Sequence, residues 1–173
     1  MNWIAYWEPI VNNIAVTEVI APEMDTLIGA LLHSCSEHVL ETMFFAPVLD
    51  EVDPAASNGC TRVASRLHFQ GKPSGDFEVD VDPEVARSLA AGFLGIDGGE
   101  VTDAQIDEVM AEFCNMTCGS ALSSLGQVKY FSLEVPQTLR PSEFTPALNG
   151  VRRGFLLEGG TLSVCLRVDF DRS

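Results

Sequence analysis

Apolar positions recur every three or four residues from Met24 through Leu27, Ile28, Leu31, Leu32, Cys35 and Val39 to Met43, the spacing of one face of a long helix. Ala21-Pro22-Glu23 reads as its start, because proline suits a first turn, and Pro47 bounds its end. Asp50 to Gly59 reads as an acidic loop. At Arg62 the period changes to two: Val63, Ser65, Leu67 and Phe69 alternate with Arg62, Arg66 and His68, which predicts a strand with one wet face. Gly71-Lys72-Pro73-Ser74-Gly75 supplies a turn, and Phe77, Val79 and Val81 alternating with Asp76, Glu78 and Asp80 predict the return strand.

Asp82-Pro83-Glu84 signals the next helix: an aspartate at the N-cap, proline at the first helical position and an acid in the positive first turn. Val85, Leu89, Phe93 and Leu94 give it an apolar side, and Gly95 ends it. Thr102-Asp103-Ala104-Gln105 has the form of a capping box and opens a third helix, for which Gly126 is the expected stop. Phe131, Leu133 and Val135 before Pro136 predict a strand. Gly154 to Glu158 and the alternating Leu162, Val164, Leu166, Val168 and Phe170 predict a hairpin around Gly159-Gly160. Helix, two strands, two helices and three strands in that order describe an α+β domain, with helices on one face of an antiparallel sheet. The first helix with its hairpin resembles the third helix with its own, which suggests two related halves. The domain is placed at residues 22–173, leaving 1–21, with Trp3, Tyr6 and Trp7, as an N-terminal extension.

The composition supports this. A chain of 173 residues, 46% hydrophobic and with mean hydropathy +0.16, suffices for one domain with a sizeable core. Charge narrows the partners: 25 acidic against 10 basic residues give -15, with no Lys or Arg before Arg62. That field repels phosphate backbones and anionic lipid, so neither nucleic acid nor a membrane surface is an expected partner. No apolar run reaches the roughly 18 residues that a spanning helix needs, and no basic segment precedes the apolar N-terminus, so a cytoplasmic location is expected. The five cysteines, at 35, 60, 114, 118 and 165, lie in apolar patterns without metal-ligand clustering and read as reduced, mostly buried thiols.

Candidate chemistry concentrates on the third helix. Ile106, Met110, Phe113, Thr117 and Ala121 form one apolar stripe, whereas Glu108, Glu112, Asn115 and Gly119 follow one another along another side. Positions three apart are about 60° apart around a helix, so the Glu112 carboxylate and the Asn115 carboxamide project together, able to hold a cation and a water molecule. Gly119 costs about 1 kcal/mol relative to alanine in a helix interior, which leads us to expect another backbone close by. Cys114 and Cys118 bracket Asn115, but their spacing suits packing better than a disulfide or a metal site. His33 and His38, near Glu37, Glu41 and Cys35 on the first helix, read as solvated or helix-packed side chains rather than parts of a nucleophilic pair.

The run from Asp107 to Ala121, with Glu112-Phe113-Cys114-Asn115 followed by Gly119-Ser120-Ala121, resembles the active-site helix of the CheC/CheX/FliY family of chemotaxis phosphatases. Phe77 to Val81, Glu84 to Gly95 ending in Leu94-Gly95, and Leu133-Glu134-Val135-Pro136 are similar to the elements that surround that helix. The likeness extends from about Pro22 to Phe170. It implies a two-layer sandwich of long helices on a mainly antiparallel sheet, and a protein-aspartate phosphatase whose substrate is a phosphorylated, CheY-like response-regulator receiver domain. By the resemblance, Glu112 would pair with the receiver's active-site lysine and Asn115 would orient the attacking water, with Glu108 and Gly119 on the docking face. No cofactor of its own is implied; Mg2+ is expected in the receiver. On the first helix, Glu37-His38-Val39-Leu40 and Glu41-Thr42-Met43-Phe44 carry Leu or Phe where a second site would need asparagine. A single site is the CheX arrangement, and that likeness also suggests a homodimer. Glu108 departs from the family pattern, which has Asp or Ser there. The alternative is a non-catalytic CheX-like module that binds a receiver or another signalling partner.

Overall fold

The computed structural model describes residues 14–54, 62–71, 74–125, 131–139 and 150–169. Its elements are α1 (Ile14–Met43), β1 (Asp50–Val52), β2 (Val63–Gln70), β3 (Ser74–Val81), α2 (Pro83–Leu94), a 3-10 turn (Gly98–Glu100), α3 (Asp103–Ser124), β4 (Ser132–Leu133), β5 (Gln137–Leu139), β6 (Val151–Leu157) and β7 (Gly160–Asp169). The strands form one sheet in the order β1-β6-β7-β3-β2-β4, with β5 pairing β2 as well, and every described pairing is antiparallel. This is the α+β architecture that the alternation of periods predicts.

Register explains why one face is apolar. Leu67 pairs with Phe77, Phe77 with Leu166 and Leu166 with Val151. A second row runs from Val63 through Val81 and Leu162 to Phe155. These rows lie under the helices, α1 against β6 and β7 and α3 against β2 and β3. Phe44, Phe69, Phe77, Phe113 and Phe155 are fully buried between the layers. Each such side chain contributes about 1.5–3 kcal/mol through removal from water.

Helix ends follow local chemistry. Gly95 adopts φ 67 and donates its N–H to the Ala91 carbonyl, closing α2 in a conformation that glycine alone adopts cheaply. Asp82 precedes Pro83 as expected, but its side chain does not cap α2. Its carboxylate is engaged across the sheet, by Arg62 Nη1 at 2.5 Å and by the Thr161 N–H at 2.7 Å. Thr102 and Gln105 form the full capping box of α3.

Several expectations change. Helix α1 begins at Ile14, seven residues before Ala21. Val16, Val19 and Ile20 keep helical spacing upstream of the proline, whose first-turn preference is a tendency rather than a start signal. Its buried stripe runs through Ile28, Leu32, Cys35 and Val39, while Leu27 and Met43 are 37% and 42% exposed. Part of the expected acidic loop is the edge strand β1, which pairs Asp50 with Leu156 and Val52 with Gly154. Its acidic residues suit an edge that must not recruit another strand. The strand predicted before Pro136 is interrupted: β4 ends at Leu133, and β5 resumes at Gln137 beyond a proline that cannot donate to the ladder.

The strand face turned away from the helices is not simply wet. Arg62 Nε donates to Asp80 at 2.5 Å, Arg66 Nε to Glu78 at 2.7 Å, and Arg167 pairs with Asp76. Glu78 and Asp80 of this network are themselves buried, as are Ser163 and Cys165. Burial pushes the Asp80 carboxyl above the usual aspartate value, against the opposing pull of Arg62. Gly126, Lys72-Pro73, Asn58-Gly59, Cys60, Phe170 and the aromatic residues of the N-terminus lie outside the described residues.

Candidate functional site

Helix α3 separates its two kinds of residue cleanly. Ile106, Val109, Met110, Phe113, Cys114, Thr117, Cys118, Ala121 and Leu122 are buried. On the other side Glu108 and Glu112 are exposed, and Asn115 and Gly119 are half-buried. All four predicted site residues therefore share one accessible face. Glu112 and Asn115 are separated by about 4.5 Å of helix rise. Among the described residues, no hydrogen bond or ion pair engages Glu108, Glu112 or Asn115.

That absence matters most for Asn115. Its Cys114 neighbour points inward, its Sγ lying 4.0 Å from the Ser65 carbonyl oxygen and 3.9 Å from that of Phe77. The helix is thereby seated on β2 and β3, while the adjacent Asn115 is only half-buried. A carboxamide offers two donor hydrogens and an acceptor oxygen. Left free by the fold, these can orient a water without adding charge.

Other elements hold the helix in place. Phe44 packs edge-on against Phe113 at 5.3 Å and stacks on Phe93 at 5.0 Å, tying the end of α1 to α2 and to the middle of α3. Arg87 of α2 donates to the Val101 carbonyl at 2.5 Å and pairs with Asp103 at 3.2 Å, fixing the start of α3. These positioning contacts were not anticipated. An arginine four residues after Pro83 carries no signal of its partner, although the Phe113 periodicity does point inward.

Gly119 departs from expectation. A Cβ built there would meet only Leu133 Cδ1, at an ordinary 3.8 Å, so no neighbouring backbone presses on it. Its lack of a side chain instead leaves the outer face shallow beside Asn115.

The two thiols of α3 supply no nucleophile. Burial raises the Cys114 thiol far above its usual range and pushes Cys118 up to about 12, so both are neutral packing groups at neutral pH. Cys35, Cys114, Cys118 and Cys165 are all free and buried. His33 stands between Glu37 and Glu51, at 3.8 and 3.5 Å, with its ring against Phe155. It joins α1 to the sheet, away from the α3 face. His38 and Glu41 are exposed on α1, and Thr42 donates to the His38 carbonyl at 2.6 Å. No helix among the described residues is long and apolar enough to cross a membrane.

Comparison with known proteins adds to this geometry. A family model described as "Chemotaxis phosphatase CheX" matches residues 63–157. No curated protein matches the sequence. Among solved structures, the chemotaxis protein CheX from Vibrio vulnificus superposes with TM-score 0.68 at 16% identity, over 82% of this chain and 96% of that one. CheX from Desulfovibrio desulfuricans gives 0.64 at 17% identity, over 82% and 99%. A CheX-CheY-BeF3-Mg2+ complex from Borrelia burgdorferi gives 0.63 at 17%, over 80% and 96%. At these identities the structures establish a shared fold.

Proposed function

The chain belongs to the chemotaxis phosphatase CheX family, and on that premise we propose that it hydrolyses the aspartyl phosphate of a CheY-like receiver domain, using Glu112 and Asn115. The observation that carries this reading is the pair itself: an exposed carboxylate and a half-buried carboxamide one turn apart on a helix, with no hydrogen bond or ion pair to a described residue. A structural role for Asn115 would call for a buried amide bonded into the core.

In this mechanism Glu112 docks on the receiver's active-site lysine, a charge-assisted contact that fixes the helix over the phosphoryl group. Asn115 accepts a hydrogen bond from the attacking water through Oδ1 and donates through Nδ2, holding the water oxygen in line with the phosphorus. The new P–O bond forms to that water as the bond to the aspartate oxygen breaks, giving inorganic phosphate and a free carboxylate. Phosphoryl transfer depends mainly on such positioning and on charge stabilisation. The divalent metal that neutralises the phosphoryl oxygens belongs to the receiver, so this chain needs no cofactor of its own. A neutral amide also avoids repulsion of the phosphoryl group. Glu108, one turn before Glu112, extends the anionic docking face. The protein would work in the cytoplasm, where receivers are phosphorylated.

Phosphate release from receivers charged with acetyl phosphate, measured with and without the protein, tests this. Acceleration by the native chain and none by Asn115→Ala is the expected result. Binding without acceleration by the native chain would instead make it a non-catalytic receiver-binding module.

A further inference from the structure

Val135 and Phe45 are the most exposed large apolar residues described, at 84% and 74%. Both lie on segments that border α3. On one side Leu133 lies against Gly119, and Cys114 lies against Ser65, whose strand partner is Thr138. The segment from 133 to 138 therefore runs alongside α3 from 119 back to 114, and Val135 lies on that segment. On the other side, Phe44 packs against Phe113, the residue after Glu112. A Cβ at Gly92 would come within 2.8 Å of the Phe44 carbonyl oxygen, so Phe45 leaves the seam where α1, α2 and α3 meet.

Phe45 is also conformationally unusual. It is the one non-glycine residue described with positive φ, at 55. A bulky side chain resists that left-handed region, and solvent exposure returns nothing for it. The Phe44 and Ala46 N–H groups both donate to the Leu40 carbonyl, at 3.2 and 3.0 Å, and this closure of α1 holds the residue there. A fold that strains a phenylalanine in order to display it has placed it for contact.

We infer that Phe45 and Val135 are the two apolar anchors of the receiver-docking surface, one on each side of the Glu112-Asn115 face. This rests on the proposed function and names how the substrate protein is held. The occupant is a receiver domain that offers a cation to Glu112 and apolar side chains to either side of it. A small molecule does not suit anchors on opposite flanks of a helix that is itself about 10 Å across. Buried apolar and aromatic anchors supply much of an interface's affinity, and charge complementarity sets its register.

The test uses the full chain and a receiver that it dephosphorylates, loaded with beryllofluoride and Mg2+ for binding and with acetyl phosphate for turnover. Phe45→Gly and Val135→Ser should each weaken binding and raise KM about tenfold, with kcat at saturation within about twofold of native. Phe45→Gly should keep or raise Tm, because glycine takes positive φ freely. A fall in Tm would make Phe45 a packing residue and overturn its assignment. Unchanged binding in both variants, with Asn115→Ala inactive, would overturn the anchors and leave the proposed function standing. Altered self-association in sedimentation, with receiver binding intact, would assign the surface to a second copy and overturn the inference. If the native chain neither binds nor dephosphorylates any receiver, the proposed function fails first and the anchors fall with it.

Discussion

Helix α3 has two sides built under opposite rules. The inner side, with Met110, Phe113, Cys114 and Thr117, is fully buried and ties three helices to the sheet. The outer side, with Glu108, Glu112 and the half-buried Asn115, makes no hydrogen bond or ion pair among the described residues. Stability and chemistry are thus divided between residues that are often adjacent in sequence. Changes on the inner side should act on folding and changes on the outer side on the partner.

The largest break is Phe113→Ala. It removes a buried ring that touches Phe44, and should cost about 3–5 kcal/mol, lowering Tm by about 10 °C for a domain of this size. Calorimetry should show that loss, while protein still folded at low temperature keeps its turnover. Loss of turnover with unchanged Tm would erase the distinction between the sides.

Asn115→Ala should do the reverse. Acceleration of receiver dephosphorylation should fall by about 100-fold or more, the usual weight of a group that positions the reacting proton or water, whereas Tm should move by little, since surface substitutions usually lie within about 0.5 kcal/mol. Stopped-flow turnover at saturating receiver checks the first and thermal unfolding the second. Glu112→Ala should weaken receiver binding by about tenfold, the equivalent of about 1.4 kcal/mol for one charge-assisted contact at an interface. The weakening should shrink as salt rises. An equal effect from Glu108→Ala would move the anchor one turn toward the N-terminus.

How legible this division was depends on range. Both sides of α3 follow from spacing, because a single helix reports its own faces: the buried stripe from Ile106 to Ala121 and the Glu112-Asn115 pair on the other side are visible in the order of residues alone. The capping box and Gly95 are local as well. What the sequence hid lies between elements. Arg66 and His68 read as a wet face because the pairing that sets them against Glu78 and Asp76 is a matter of register, and Arg62 reaches Asp80 on the neighbouring strand. Asp82 looked like a cap, yet Arg62 and Thr161 claim its carboxylate from across the sheet. Phe45 gave no signal, since neither its backbone angle nor its exposure follows from its neighbours in sequence.

Gly119 tests the comparison most finely, because it stands on the outer side with no side chain of its own. If close packing required glycine, Gly119→Ala would destabilise the domain. The structure leaves 3.8 Å to Leu133 Cδ1, an ordinary contact. Alanine should therefore improve helix propensity and raise stability by about 0.5–1 kcal/mol, or about 2–3 °C in Tm. Receiver affinity decides what the glycine is for. A more stable variant that binds its receiver several-fold less tightly would show that the space beside Asn115 is used by the partner. A more stable variant with unchanged affinity would remove Gly119 from the docking face and confine that face to Glu112, Asn115 and their flanks.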